Sequence, residues 1–587
     1  MRKQTITMTV ILLLSIVAGS LFHVNPVQAQ DGTEPLAILD AGIPVYLPFA
    51  STEGILPSCA VGVQNPYGIE LAGFPPIGSN FELTDAEMDE MMLDFTSMVD
   101  ALKQSGAGWV RVYINWSSIQ PTSTTFNWGT LDYWISEITK AGIKVIGVVS
   151  NPPLWAATGK DDVPICTNMV TNFTGFSKFL ETLVRRYGGM PYYVKTWEIM
   201  NEPDAEDSDS GCDNALSNYA DHPEVYRQVL TTASNTIRSI DPTAKILFGG
   251  LAYDWFNEYN VEEMNGPFDR YMVDHVVSDT AVRSTFDAFN FHYFPDWTDQ
   301  WSRWTTTSIG DYQRPSCNMV TVERVESAEA PLYSPWGIDI MAKTSHLLTR
   351  MEGCYGIYGK EYWVTEIGQH GITKEQADAA GPVDCTPLSQ NYYNNLYCRY
   401  YKQVNTAEPR TFSRQNQTLD TQARYVWQSY ARVIAGYGTA AGWYALKIIP
   451  LNTPPDYQGL LYDSRNGDAL NGKPKPAFYA YQALAKELPY PKVLEHLIVP
   501  SGTPREVAGK YFNQGEAYKF SSCKGTVIMG WTNLVGQKVT LPLTGAKSAD
   551  PLYRPYASSE WVRQVQGTTG NLSIELTNEP VIIRVTY

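Results

Sequence analysis

The chain has 587 residues, a formal net charge of -17 and 12% aromatic residues. So acidic a chain lacks the basic footprint that nucleic acid or an anionic membrane surface demands, which leaves an uncharged ligand as the better fit. The aromatic content suits sugar faces, although most aromatic side chains serve a core.

Arg2 and Lys3 precede an apolar stretch from about Met8 to Ala18, and Val27-Gln28-Ala29 satisfies a small-residue cleavage rule. Residues 1–29 therefore read as a signal peptide cut after Ala29, and the mature protein as secreted, extracellular or periplasmic. The apolar stretch falls short of the roughly 18 residues of a membrane helix, and no later run qualifies as a span. In an exported chain the eight cysteines favour disulfides. None forms a C-x-x-C pair, and Cys385 with Cys398, flanking one loop, is the cheapest local pairing.

Residues 30–57 form an N-terminal lead, and beyond it short β-rich runs alternate with helical patterns. Strands are expected at Ala60–Val63, Trp109–Ile114, Lys144–Val149, Val194–Ile199, Lys245–Gly249, Ala288–Phe291, Tyr362–Thr365 and Ala440–Tyr444. Thr84 and Glu87 form a capping box ahead of Met88, Met91, Met92, Phe95, Met98, Val99 and Leu102 at helical spacing. Similar stripes run through Phe176, Phe179, Leu180, Leu183 and Tyr187, and through Val225, Tyr226, Val229, Leu230 and Ile237. Pro476 opens the last helix at a first-turn position. Eight strand–helix alternations imply a (β/α)8 TIM barrel over 58–487, with an inserted loop region between Phe294 and Lys360. Residues 488–587 change character: Gly525–Trp531, Lys538–Leu543 and Pro580–Tyr587 alternate without helices, which indicates an all-β sandwich domain.

Two apolar strands run into carboxylates. Lys195-Thr-Trp-Glu-Ile-Met ends in Asn201, Glu202 and Pro203, and Glu361-Tyr-Trp-Val-Thr ends in Glu366. In a barrel, reacting groups sit where strands end, so Glu202 and Glu366 face each other across its mouth, as a glycosidase requires. Glu198, four residues before Glu202, is expected one layer deeper and structurally paired. Asn578-Glu579-Pro580 repeats the tripeptide but precedes a strand. Gly467-Asp-Ala-Leu-Asn-Gly472-Lys473 imitates a phosphate loop, yet Pro474 stands where Ser or Thr must be. His222, His275, His346 and His370 lack metal-ligand spacing, and no cofactor or metal is implied.

The two glutamate motifs resemble glycoside hydrolase clan A, most like family 39 or family 5, over about Cys59 to Leu488. The resemblance implies Glu202 as acid/base, Asn201 on the sugar 2-hydroxyl, Glu366 as nucleophile, and Arg111 keeping that nucleophile ionised. His292 matches a clan histidine after the sixth strand. Where the clan has a tyrosine two residues later this chain has Phe294, so either Tyr293 takes that role or the hydrogen bond is absent. Trp443 matches the tryptophan that floors the cleaved-sugar subsite, and Trp155, like Asn115-Trp116, matches loops that shape subsites. The implied protein is a retaining hydrolase of β-linked glucan, xylan or mannan, its partner an oligosaccharide or polysaccharide. Its rivals are a transglycosylase using the same pair and an inactive carbohydrate-binding barrel, which would usually have lost one glutamate. In this clan a small C-terminal sandwich is more often a structural appendage than a binding module.

Overall fold

The computed structural model describes residues 64–71, 85–158, 169–205, 219–252, 272–294, 340–383, 395–401, 416–448, 457–467, 469–498, 515–532, 538–553 and 572–587, with short pieces at 217, 269, 306–307, 332–333, 536, 562–563 and 566–567. The expected signal peptide, the N-terminal lead, a strand at Ala60–Val63, Thr84 and the side chain of Glu87, and Cys385 lie outside these residues.

Eight parallel strands close into a barrel: β1 (Tyr67–Glu70), β2 (Trp109–Asn115), β3 (Lys144–Ser150), β4 (Thr196–Asn201), β5 (Lys245–Gly250), β6 (Ala288–Tyr293), β7 (Glu361–Ile367) and β8 (Ala440–Trp443). Each crosses to the next through a helix: α1 (Asp85–Ser105), α2 (Gly129–Lys140), α3 (Phe173–Tyr187), α4 (Pro223–Ile240), α5 (Met272–Val277), α6 (Ile340–Tyr355) and α7 (Leu419–Ala435), with α8 (Pro476–Glu487) after β8. The first barrel strand is thus Tyr67–Glu70, whose Glu70 pairs in register with Arg111 of β2.

Local chemistry sets the helix ends. The side chain of Asn172 accepts from the Gly175 N–H at the start of α3, Thr418 and Thr421 form a reciprocal cap on α7, and prolines occupy the first turns of α4 and α8. The apolar stripe of α3 (Phe176, Phe179, Leu180, Leu183, Tyr187) is fully buried against the barrel's outer wall. So are Tyr226, Val229, Leu230 and Ile237 of α4. Within the barrel Trp109, Ile146, Leu247, Ala288, Trp363 and Ala440 form a separate apolar layer at the strand beginnings, where the Trp109 and Trp363 rings lie 5.5 Å apart.

Past α8 the chain becomes all-β: β9 (Lys492–Ile498), β10 (Gly515–Ser522), β11 (Gly525–Thr532), β12 (Val539–Leu543), β13 (Ser548–Tyr553), β14 (Leu572–Leu576) and β15 (Val581–Thr586). The large sheet runs β9-β10-β11-β15-β13, and β12 pairs with β14 in a second sheet. Period-two alternation gives the large sheet two buried faces. Ala517, Ile528 and Ile583 pack with Leu541, Leu543 and Ile574 of the second sheet, whereas Tyr518, Phe520, Val527, Met529, Trp531 and Ile582 join the barrel's own core. Arg432 of α7 clamps Glu516 of β10 from two nitrogens, at 3.0 and 2.7 Å, and lies over the Trp531 ring. Glu579, in the repeated tripeptide, pairs with Arg424 of α7 at 3.0 Å. The β domain is therefore an integral buttress of the barrel, and the two belong to one compact unit.

Candidate active site

One layer above the apolar floor, the barrel interior turns polar around Arg111. Its guanidinium is wholly buried and every nitrogen is used. Nε and Nη2 donate to the two oxygens of Glu198 at 2.9 and 2.8 Å, and Nη2 also donates to Oδ1 of Asn201 at 2.6 Å. Nη1 donates to Oε2 of Glu70 at 2.8 Å and to Oε1 of Glu366 at 2.5 Å. The Glu198 carboxylate also accepts the Gly250 N–H at 3.0 Å, so it is a structural anchor for the arginine. A fixed guanidinium in a low-dielectric site favours the ionised form of any carboxyl it touches.

Both strand-end glutamates depend on a break in regular β geometry. Glu198 and Asn201 would face opposite sides of a regular strand, yet both reach Arg111, because Met200 adopts φ 66° and reverses the alternation. Glu202 follows at φ 47°. Left-handed backbone at non-glycine residues costs roughly 1–3 kcal/mol each and persists only where surroundings enforce it. Gly249 is part of that enforcement, since a Cβ there would lie 2.7 Å from the Met200 carbonyl. On β7 the pairing slips between Val364 and Glu366, which brings Glu366 to the interior beside His292.

His292 lies between the two carboxyls, with Nδ1 2.8 Å from Oε1 of Glu202 and Nε2 3.4 Å from Oε1 of Glu366. Burial, and then the charges of Arg111 and Lys343, hold its pKa well below the usual histidine value, so the ring is neutral. Gly250 makes room for it, since a Cβ there would stand 2.2 Å from Nε2. One ligand-type atom from each of Glu202, His292 and Glu366 falls within 4.8 Å of the others. Arg111 already occupies the Glu366 oxygen with a positive charge, which opposes a cation among the three. Burial raises the Glu366 carboxyl above its ordinary pKa, opposed by the arginine.

The remaining expected residues are placed differently. Tyr293 turns outward into the hydrophobic core beneath the Lys343 ammonium, because it alternates with the inward His292. The phenol that reaches Glu366 is that of Tyr113 on β2, whose hydroxyl donates to Oε1 at 3.4 Å. Trp443 does not floor a subsite. It is fully buried, its N–H donates to the Gln458 carbonyl at 2.9 Å, and its ring packs 6.4 Å from Tyr425 of α7. Tyr444, next in the chain and half-buried, instead meets Phe294 edge-to-face at 5.5 Å at the barrel mouth. Trp155 donates to the Gln120 carbonyl at 3.0 Å and packs edge-on against Trp116, so its contacts build the loop wall rather than touch the carboxylates. Glu70 and Tyr113 were not singled out from sequence.

Residues 76–322 match the family model of cellulase (glycosyl hydrolase family 5). Over that stretch the chain carries a glycosyl hydrolase domain. This hydrolase shares its fold with a family 39 glycoside hydrolase from the gut symbiont Bacteroides cellulosilyticus, at 16% identity over 88% of this chain and 80% of that one, TM-score 0.52. It also resembles a conserved exported protein from Bacteroides fragilis, at 10% identity over 81% of this chain and 88% of that one, TM-score 0.50. At those identities the likeness concerns the fold alone. Among the described residues of the hydrolase no helix is long and apolar enough to cross a membrane, and no cysteine is a free thiol.

Proposed function

We propose that the protein is a secreted, retaining hydrolase of β-linked glucan, xylan or mannan, with Glu366 as nucleophile and Glu202 as acid/base. The observation that carries this reading is the proximity of the two carboxyls, an oxygen of each lying within 4.8 Å of the other. Retaining enzymes hold their carboxyls roughly 5–5.5 Å apart, whereas inversion needs roughly 6.5–9.5 Å to admit a water.

In this scheme Glu202 protonates the glycosidic oxygen while Glu366 attacks the anomeric carbon, forming a covalent glycosyl-enzyme and expelling the leaving sugar. Glu202, now a carboxylate, takes a proton from the incoming water, whose oxygen displaces Glu366. The neutral His292 ring has a single N–H, and its Nδ1 beside Glu202 serves the two stages through its two tautomers. Donating to the carboxylate and accepting from the carboxylic acid are equally open to it. Asn201, its carbonyl end fixed by Arg111, presents its amide as a donor to the sugar 2-hydroxyl. The Phe294–Tyr444 pair gives the mouth an aromatic edge on which a neutral sugar face rests. A signal peptide over 1–29, disulfides among the eight cysteines and a domain boundary near 488 complete the proposal.

Azide rescue tests it. Glu366→Ala is expected to lose turnover and to recover cleavage of a dinitrophenyl β-glycoside in azide, releasing the α-glycosyl azide. Near-normal hydrolysis by Glu366→Ala without azide rules the assignment out.

A further inference from the structure

A third carboxyl lies beside the nucleophile position. Glu70 ends β1, is wholly buried, and shares nitrogen Nη1 of Arg111 with Glu366. Sharing that one nitrogen, at 2.8 and 2.5 Å, sets the two carboxyls side by side, so that the Glu366 charge acts on Glu70. Oε2 of Glu70 takes the arginine's hydrogen, while Oε1 is buried with no donor to satisfy it.

The charge balance makes an ionised Glu70 untenable. The groups facing it are Arg111 and Tyr113 from β2 and Glu366 from β7, while Glu198 takes the other nitrogens of the same guanidinium. From the segment after β8, Leu446 offers its backbone N–H to the Glu70 carbonyl, and the neighbouring Lys447 is turned away to Asp94. One guanidinium would then serve three buried carboxylates. Unpaired buried charge is among the costliest features a fold can carry, and such a group takes up a proton instead.

Accepting Glu366 as the nucleophile, we propose that Glu70 is a permanently protonated positioning residue whose carboxylic O–H donates a hydrogen bond to Glu366, aiming the nucleophile and stabilising its charge. Placing the proton on Oε1 gives that oxygen its missing partner. Burial and the neighbouring Glu366 charge push the Glu70 carboxyl well above the usual carboxylate range, in the direction this arrangement requires. The donated hydrogen bond acts oppositely on Glu366 and offsets part of the rise that burial imposes there.

The experiment compares the wild type with Glu70→Ala and Glu70→Gln in the full chain, using a dinitrophenyl β-glycoside. That leaving group needs no proton, so the acidic limb of kcat/KM reports ionisation of the nucleophile. Glu70→Ala, which loses a charge-assisted hydrogen bond, is expected to lower kcat/KM roughly 10- to 100-fold and to move the acidic limb up by about one unit. Glu70→Gln supplies a neutral donor of the same shape. It should restore most of the loss and return the limb to within about 0.3 unit of wild type. Infrared spectroscopy at neutral pH should show a buried carboxylic acid C=O band in the wild type that vanishes in Glu70→Gln. An acidic limb that drops by about a unit or more in Glu70→Gln, as removing an anion beside Glu366 would cause, overturns the proposal. So does the absence of the infrared band. That band is read without turnover, so it fails independently of azide rescue, which tests Glu366 alone.

Discussion

Two layers of one barrel, made by the same strands, differ completely in chemistry. At the strand beginnings Trp109 and Trp363 pack with Ile146, Leu247, Ala288 and Ala440 into a dry floor. Two positions further along β2 and three along β7, Arg111 and Glu366 belong to a charged network with Glu70, Glu198 and Asn201. Burial is nearly equal in the two layers. Only the lower one gains stability from it. The upper one holds charge that burial penalises and Arg111 compensates, an arrangement a fold keeps when the site has work to do.

Removing Arg111 is the most severe way to break that contrast. Arg111→Met leaves buried carboxylates unpaired, which costs about 3–5 kcal/mol of stability, and it abolishes turnover by releasing Asn201 and Glu366. Chemical denaturation and glycoside hydrolysis measure the two losses. Next in effect on turnover is Glu202→Gln. General acid catalysis is worth about 10²- to 10⁴-fold, so hydrolysis of a natural disaccharide should fall by that factor. Formation of the glycosyl-enzyme from a dinitrophenyl glycoside should be spared, and equal losses on both substrates would remove the acid role. Smallest in effect on catalysis is Trp363→Ala in the floor. It should cost about 3–5 kcal/mol of stability while leaving kcat per folded molecule near wild type.

Titration sharpens the same comparison, since only the charged layer responds to pH. The folded pKa of Glu366 is raised, chiefly by burial, so its ionised form, the one the proposed nucleophile needs, disappears as pH falls through a value above the ordinary ~4.3 for glutamate. The acidic limb of kcat/KM on a dinitrophenyl glycoside should therefore lie above that value. The sign for stability follows from the proton count: a carboxyl that keeps its proton in the fold makes the folded state bind more protons, so stability declines as pH rises from the unfolded value toward the folded one. Both Glu366 and Glu70 contribute in that direction.

Position along a strand was legible in the sequence and facing was not. Runs of β-branched and aromatic residues ending at Glu202 and Glu366 marked the ends of the fourth and seventh strands, where the two carboxyls come within 4.8 Å of each other. What lay hidden depended on single-residue parity. Ala440 faces into the barrel, so Trp443, three residues on, faces out into the helical layer, and the mouth receives Tyr444. The same parity turns His292 inward and Tyr293 outward. Tyr113 looks like an ordinary strand aromatic until its hydroxyl is seen at Glu366. Glu70 was obscured because its strand is four residues long, Tyr-Gly-Ile-Glu, too short for a hydrophobic pattern to mark. The bulge on β7 and the left-handed turn at Met200 carry no sequence signature of their own, because packing against β5 and β6 imposes them.

The central claim, that Glu202 and Glu366 form a short-range pair acting by double displacement, is tested most directly by the anomer first released. Proton NMR of a β-glycoside digest, recorded before mutarotation, should show the β-sugar appearing first and the α-anomer growing in only with time. An α-anomer released first would mean direct attack by water and would contradict the account.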